Sequence, residues 1–520
     1  MVDIVGSLTL GKVWDLTVAQ HADRTFLVFL NQAGQRSEYT YRQFGDTVTR
    51  TALGLRALEI GRGTVVVMQL ENSPEFIACL LALAKVGAIA VPLGPKTPPA
   101  EALGLIQSCQ ADWGIVESKD LAAYNQLRLK NGVLPGGVFA PPRLSEEPFT
   151  PPPTAPPLVD QPLSSDALAE ILFTSGTTSA PKGVMITHAN LVYSGHYAIW
   201  QTSMRADDRV YTTMPACHSN FQLVALTGVI VAGATLVLAA RYRAHCFFED
   251  ARREKATITQ LTAMMVRTLL LQPPTEQDCD HQIRETLYFM PISDDDKVAF
   301  ENRFGVRLLN SYGSTESICW VVTDPPQGER RWPAVGRAGL GYEVAIMGAA
   351  AEPLGPGQVG EFWVKGIPGR TLMAGYLNNP EATAATLRED GWLRTSDLGY
   401  YDDDGWFFFV DRARNVIKRS GENISTGEVE AVLDAHPAVC QSAVIGIPDP
   451  LRDQAVKAFI QLVPGALLEA GELQAYCRDR LAPFKVPEVI EFVAELPRTT
   501  SMKVAKWCLE PDKSPLVTPQ

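Results

Sequence analysis

Residues 168–183 constrain this chain more than any other stretch. The apolar run Leu168–Phe173 predicts a buried strand. It feeds Thr174, Ser175, Gly176, Thr177, Thr178 and Ser179, six hydroxyl or glycine positions in a row, and Lys182 and Gly183 follow after one proline. A strand ending in such a loop offers close-packed backbone N–H groups, hydroxyls and one ammonium to an anion, so residues 174–183 are expected to wrap phosphate oxygens. A flexible linker needs neither the apolar strand in front nor the lysine behind. An ordinary P-loop is also excluded: Gly176 and Lys182 have its spacing, but Pro181 stands at its second glycine and Gly183 at its metal-holding hydroxyl. Any metal must therefore be held from elsewhere in the chain.

At 520 residues the chain exceeds one compact core, and several folding units are expected. A formal charge of −12 argues against a nucleic-acid surface. The nine cysteines are scattered, without a C-x-x-C pair, so neither a disulfide framework nor a zinc site is indicated, and a reducing cytoplasm fits. Leu223–Ala240 is uncharged and long enough to suggest a membrane helix. Gly228, Gly233, Thr227 and Thr235 interrupt it, however, so a buried helix followed by a strand at Thr235–Leu238 is expected, and no membrane span.

Thr40 and Gln43 have capping-box spacing ahead of helically spaced apolar residues reaching Leu58. A strand at Thr64–Leu70, an N-cap at Ser73 with Pro74 behind it, a stop at Gly87 and a strand at Ala88–Pro92 follow. Strand, helix, strand with continuous apolar runs implies a parallel sheet covered on both faces. Ten prolines between Pro135 and Pro162 predict an extended connection into the phosphate loop. Tyr211–Cys217 is strand-like. Val306–Leu309 is a short strand running into Asn310–Glu316, where an open α/β sheet places its ligand contacts. Alternating apolar and small residues from Gly336 predict a β-rich subdomain over roughly 336–410. Trp406–Val410 is a strand, and the charged turn Asp411–Asn415 after it suits a hinge. Beyond it lie a second capping-box pattern, Ser425 and Glu428, a helix to Leu433, and strands at Ser442–Gly446 and Lys457–Val463. The expected architecture is α/β: a large N-terminal domain of parallel sheets over 1–411, including the β-rich subdomain, then a small mobile α+β domain over 412–520.

Four separated motifs agree in order and spacing: TSGTTSAPKG, SYGSTES, RTSDLGYYDDDGWFFFVDR and LPRTTSMK. With them the chain, from about residue 10 to 508, resembles the adenylate-forming superfamily of acyl-CoA synthetases, luciferases and peptide-synthetase adenylation domains. The runs EILFTSGTTSAPKGVMITHANL, RRWPAVGRAG, IKRSGENIS and APFKVPEVIEF look most like crotonobetaine/carnitine-CoA ligases. The resemblance implies ATP and Mg²⁺ as cofactors, a small or medium carboxylic acid as substrate and coenzyme A as the acceptor. A carboxylate is a poor electrophile, so such enzymes transfer AMP to it, expel pyrophosphate, and let a thiol attack the mixed anhydride.

Carried over by position, Lys182 with Thr174, Ser175, Gly176, Thr177 and Thr178 would hold the phosphates and Glu316 the Mg²⁺. Thr315 would meet the α-phosphate, with Tyr312 and Gly313 at the adenine. Asp397, assisted by Arg412, would accept from the ribose hydroxyls. His218 would stand between acyl pocket and thiol tunnel, and Lys503 would bridge the carboxylate and α-phosphate. Gln222, Asn220, Asn310, Ser317 and Trp320 are candidate pocket neighbours. The chain departs from the pattern at Ser396 and Met502, where the family commonly has glycine, and at FMPISDDD, Phe289–Asp296, in place of a small-residue adenine loop. Shared first-step residues do not fix the acceptor, so an amine, as in diazotases that activate nitrite, or a carrier-protein thiol would also fit.

Overall fold

The computed structural model describes residues 4–144, 162–174, 181–290, 292–412, 416–419, 422–449, 452–498 and 504–509. Two large sheets organise the N-terminal domain. One has nine strands, with Leu308–Tyr312, Glu285–Phe289, Ile258–Thr262, Arg209–Thr212, Thr235–Ala239 and Thr25–Leu30 parallel in that order and antiparallel strands at both edges. The other has seven, in which Leu168–Thr174 lies beside Ile89–Pro92 and is followed by its antiparallel partner Lys182–Thr187.

Between the sheets lie helices whose composition allows nothing else. In Pro74–Val86 every residue from Pro74 to Ala84 is buried, and His188–Thr202 is buried over most of its circumference. A helix apolar or buried all round must have protein on both sides, and a single apolar core indeed runs through both helices and both sheets. The local signals are realised: Thr40 makes both halves of its capping box for Tyr41–Ala57, Ser73 caps Pro74–Val86, and Gly87 ends it left-handed at φ +76. The uncharged stretch becomes a π-helical turn, Asn220–Leu226, a helix, Thr227–Ala232, and the strand Thr235–Ala239. Among the described residues no helix is long and apolar enough to cross a membrane.

Some expectations are corrected. The strand expected over Tyr211–Cys217 stops at Thr212, because Thr212 Oγ1 takes the Met214 amide and the Asn72 side chain pins the Met214 carbonyl and the Ala216 amide. The strand expected at Val306–Leu309 is Leu308–Tyr312, in register with Thr286–Tyr288, so Tyr312 ends a strand instead of lying in a turn. The charged break expected from Asp411 begins later, since Phe407–Arg412 is one strand and Asp411 and Arg412 pair with Leu398 and Asp397. The helix Thr426–Asp434 has only half a capping box: Ser425 accepts from the Glu428 amide, while Lys485 takes the Glu428 carboxylate at 2.6 and 2.7 Å. The proline-rich centre, residues 145–161, lies outside the described residues.

The β-rich region is a four-stranded antiparallel sheet of Glu343–Met347, Gly360–Lys365, Trp392–Tyr401 and Phe407–Arg412. Two of its connections leave it to join the large sheets, Arg337–Ala338 at the nine-stranded edge and Gly375–Tyr376 at the seven-stranded edge. The smaller C-terminal domain is a five-stranded sheet with helices Thr426–Asp434 and Ala470–Arg478 and its own apolar core.

Candidate active site

The segment that gathers the predicted residues is Tyr312–Glu316, at the carboxyl end of Leu308–Tyr312, where an open α/β sheet exposes its ligand-binding edge. Its side chains reach three ways. The Tyr312 hydroxyl donates to Asp397 Oδ2 at 2.8 Å, and its ring stacks on Phe362 at 4.8 Å. Thr315 Oγ1 donates to Ser219 Oγ at 3.3 Å, beside His218. Glu316 Oε1 accepts from the Tyr376 hydroxyl at 3.0 Å, and the Lys182 ammonium lies 4.9 Å from the centre of the Tyr376 ring.

Each group has a local reason to be there. Gly313 lies against the Cys319 carbonyl and Trp320 Cα so closely that a Cβ would overlap them, so packing alone demands glycine. Asp397 is buried, on a strand whose residue 397 faces Arg412 in register. His218 Nδ1 accepts the Asn220 amide at 3.2 Å, so a neutral ring carries its proton on Nε2. Thr174 and Lys182 face each other as the last and first residues of the hairpin strands. Ser175, Gly176, Thr177, Thr178, Met502, Lys503 and the Arg412 side chain lie outside the described residues.

Glu316 suits a magnesium ion held mainly by substrate. Its carboxylate is half-buried, and among the described residues no three His, Cys, Asp or Glu side chains converge to form a cage. Mg²⁺ binds this way in phosphoryl-transfer sites, through one or two carboxylates plus phosphate oxygens and water. Lys182 also touches Tyr376, its ammonium 4.9 Å from the ring centre, so it could add positive charge for phosphates near the same carboxylate.

Two of the candidate pocket residues are bonded within the fold. Asn310 donates to the Ala334 carbonyl and accepts the Ser311 amide, and Ser317 Oγ is bonded to the Ser314 and Cys319 carbonyls, so both serve the fold. Trp320 stacks on Phe289 at 4.7 Å, giving the ends of the central strands an aromatic floor. In FMPISDDD the aspartates open the helix Asp294–Phe304, capped by Ser293, where negative charge favours the helix dipole. Sequence reasoning missed Tyr376, Phe362 and Ser219. A lone Gly-Tyr pair and a mid-strand phenylalanine carry no local sign of a site, and only the sheet pairings bring them to Glu316 and Tyr312.

The family model for AMP-binding enzymes matches residues 14–377, and that for the AMP-binding enzyme C-terminal domain matches 428–503. The chain is 41% identical to a crotonobetaine/carnitine–CoA ligase of Salmonella typhi, over 97% of this chain and 99% of that protein. It is 40% identical to the enzyme of the same name from Escherichia fergusonii, over 98% and 100%. Among solved structures, the o-succinylbenzoate coenzyme A synthetase of Bacillus subtilis in complex with ATP and magnesium superposes with a TM-score of 0.83 at 26% identity, covering 95% of this chain and 98% of that one. With a matching model over most of its length and near-full-length relatives, the chain belongs to the AMP-binding enzyme family, in the adenylate-forming group expected from its motifs.

Proposed function

We infer that this chain is an ATP- and Mg²⁺-dependent ligase that adenylates a small or medium carboxylic acid and transfers the acyl group to coenzyme A. The observation that carries this reading is the convergence on Tyr312–Glu316 of a carboxylate for the metal, a buried aspartate and the His218 turn. It is supported by the near-full-length likeness to proteins named CoA ligases. Joining a carboxylate to a triphosphate brings two anions together, so the site must supply positive charge. Mg²⁺, when bound, supplies most of it. Glu316 anchors that ion, and Lys182 with the hydroxyls after Thr174 holds the departing phosphates. Asp397, its orientation fixed by Tyr312, accepts from the ribose hydroxyls with Arg412 beside it in register. Thr315 meets the α-phosphate, and Tyr312, packed against the rings of Phe362 and Phe409, lies at the adenine. Lys503, from the small domain, bridges carboxylate and α-phosphate, and His218 borders the path of the thiol. The proposed boundary falls between residues 411 and 412, with the small domain turning about it so that the lysine can leave before the thiol arrives. The acid is taken to be of the kind the relatives' names describe.

The test incubates the enzyme with ATP, Mg²⁺, CoA and a panel of acids, trimethylammonium acids among them, and follows AMP and product mass. A thioester formed with matching AMP is expected. AMP release that instead requires nitrite and an aryl amine, with no thioester from any acid, would overturn the CoA reading.

A further inference from the structure

Tyr376 touches both of the groups assigned to the triphosphate end of the site, and none of the motifs includes it. Its hydroxyl donates to Glu316 Oε1 at 3.0 Å, and the Lys182 ammonium sits 4.9 Å from its ring centre. The side chain is 7% exposed. The backbone around it is fastened to the same two elements. Met373 N–H donates to the Glu316 carbonyl at 2.9 Å, Ala374 N–H to the Met185 carbonyl at 3.0 Å, and Leu377 N–H to the Gly183 carbonyl at 2.8 Å. Tyr376 itself pairs with Val184, and its amide donates to Thr383 Oγ1 at 2.9 Å. Residues 373–377 thus form a short strap that binds the strand leaving the phosphate loop to the turn that carries Glu316.

We propose that Tyr376 is a positioning residue that sets the Glu316 carboxylate for the metal and the Lys182 ammonium for the phosphates. A phenol is protonated at neutral pH, and here its hydroxyl donates to the carboxylate at 3.0 Å. A carboxylate can accept about four hydrogen bonds. Donation to Oε1 fixes the rotation of the group and leaves Oε2 to a hard cation, and such outer partners typically alter metal affinity about 10- to 100-fold. The ring face attracts the lysine ammonium by its quadrupole and limits where that long side chain can swing. The two effects use different parts of one side chain, so they can be separated.

This inference rests on the assignment of Glu316 to the metal and Lys182 to the phosphates. The probe is Mn²⁺ with ATP, its binding followed by electron paramagnetic resonance on the full chain, with ATP binding measured separately by calorimetry. Tyr376→Phe keeps the ring and loses the hydroxyl: Mn²⁺ affinity should fall about tenfold with ATP affinity near that of the parent. Tyr376→Leu loses both, and ATP affinity should fall a further few-fold. Glu316→Gln is the control on the underlying assignment. If Glu316→Gln abolishes Mn²⁺ binding while Tyr376→Phe binds it like the parent, Tyr376 only packs, and the proposal fails. If Glu316→Gln itself leaves Mn²⁺ binding intact, the metal assignment fails first. Should Tyr376→Leu not fold, the Tyr376→Phe comparison still decides the matter.

Discussion

At Ser396, immediately before the buried Asp397, the backbone is left-handed, with φ +59. A side chain in that conformation costs roughly 1–2 kcal/mol relative to glycine, the residue that the resemblance led one to expect here. The bonds that hold the turn do not use the Ser396 side chain: the Ser396 amide donates to Glu361 Oε1 at 2.9 Å and the Asp397 amide to Thr395 Oγ1 at 3.1 Å. Ser396→Gly leaves both in place, so relief of strain, offset in part by glycine's greater freedom when unfolded, should stabilise the chain by about 0.5–1 kcal/mol. Denaturant unfolding measures this, and a loss of stability would show that the serine hydroxyl holds the turn. The substitution itself was visible in the sequence, but the reason for it was not, because φ is fixed by the close pairing of residues 361 and 398 across the sheet. Met290, at φ +84, and Ile318, at φ +68, are strained in the same way, and they too flank the site. Such outliers persist where surrounding structure over-determines them, which is common at functional sites.

The strand Leu168–Thr174, which leads to the phosphate loop, carries Glu170 in the interior of the seven-stranded sheet, 1% exposed. Among the described residues its Oε2 has no hydrogen-bond partner, and burial pushes the carboxyl up to about 8. The folded chain therefore keeps a proton that the unfolded chain loses near pH 4.5. Across that window the folded state binds more protons, and stability falls as pH rises, by on the order of 5 kcal/mol in total. Glu170→Gln should match the parent near pH 5 and exceed it by a few kcal/mol at pH 8, a difference checked by thermal melts at both values. A pH-independent difference would rule this account out. At the other end of the hairpin, burial lowers His188 to about 4, so its contribution runs the opposite way: stability falls as pH drops below 6.5. The elements themselves were largely legible, since Thr40, Ser73 and Gly87 mark their helix ends in the sequence as they do in space. Strand ends were less so. Whether Tyr211–Cys217 continues past Thr212 depends on Asn72, more than a hundred residues away, and no local pattern contains that bond. The site divides the same way: Lys182, Glu316 and Asp397 stood out by motif, while Tyr376 is tied to them only through the pairing of Gly375–Tyr376 with a strand nearly two hundred residues earlier.

In the whole molecule, the large and small domains meet through a charge pair. Arg267, on the helix Ala263–Leu270, reaches Asp434 at 2.9 Å, at the end of the small domain's helix Thr426–Asp434, with Asp296 3.6 Å from the guanidinium. Burial raises the Asp434 carboxyl while Arg267 opposes the rise. A pair of this kind holds one relative placement of the domains by about 1–2 kcal/mol, so Arg267→Ala should lower its population roughly 5- to 30-fold. Distances between spin labels on the two domains should then spread, and an unchanged distribution would mean that the pair contributes nothing to the placement. The second junction is Asp411. Its backbone pairs with Leu398 in the four-stranded sheet, while its carboxylate accepts from Ser425 Oγ at 2.9 Å, Thr426 Oγ1 at 3.1 Å and the Gly427 amide at 3.1 Å. By main chain it belongs to one domain and by side chain to the other. For anyone recombining small domains among relatives, a graft that begins after Asp411 brings in a helix whose first turn has left its counter-charge behind.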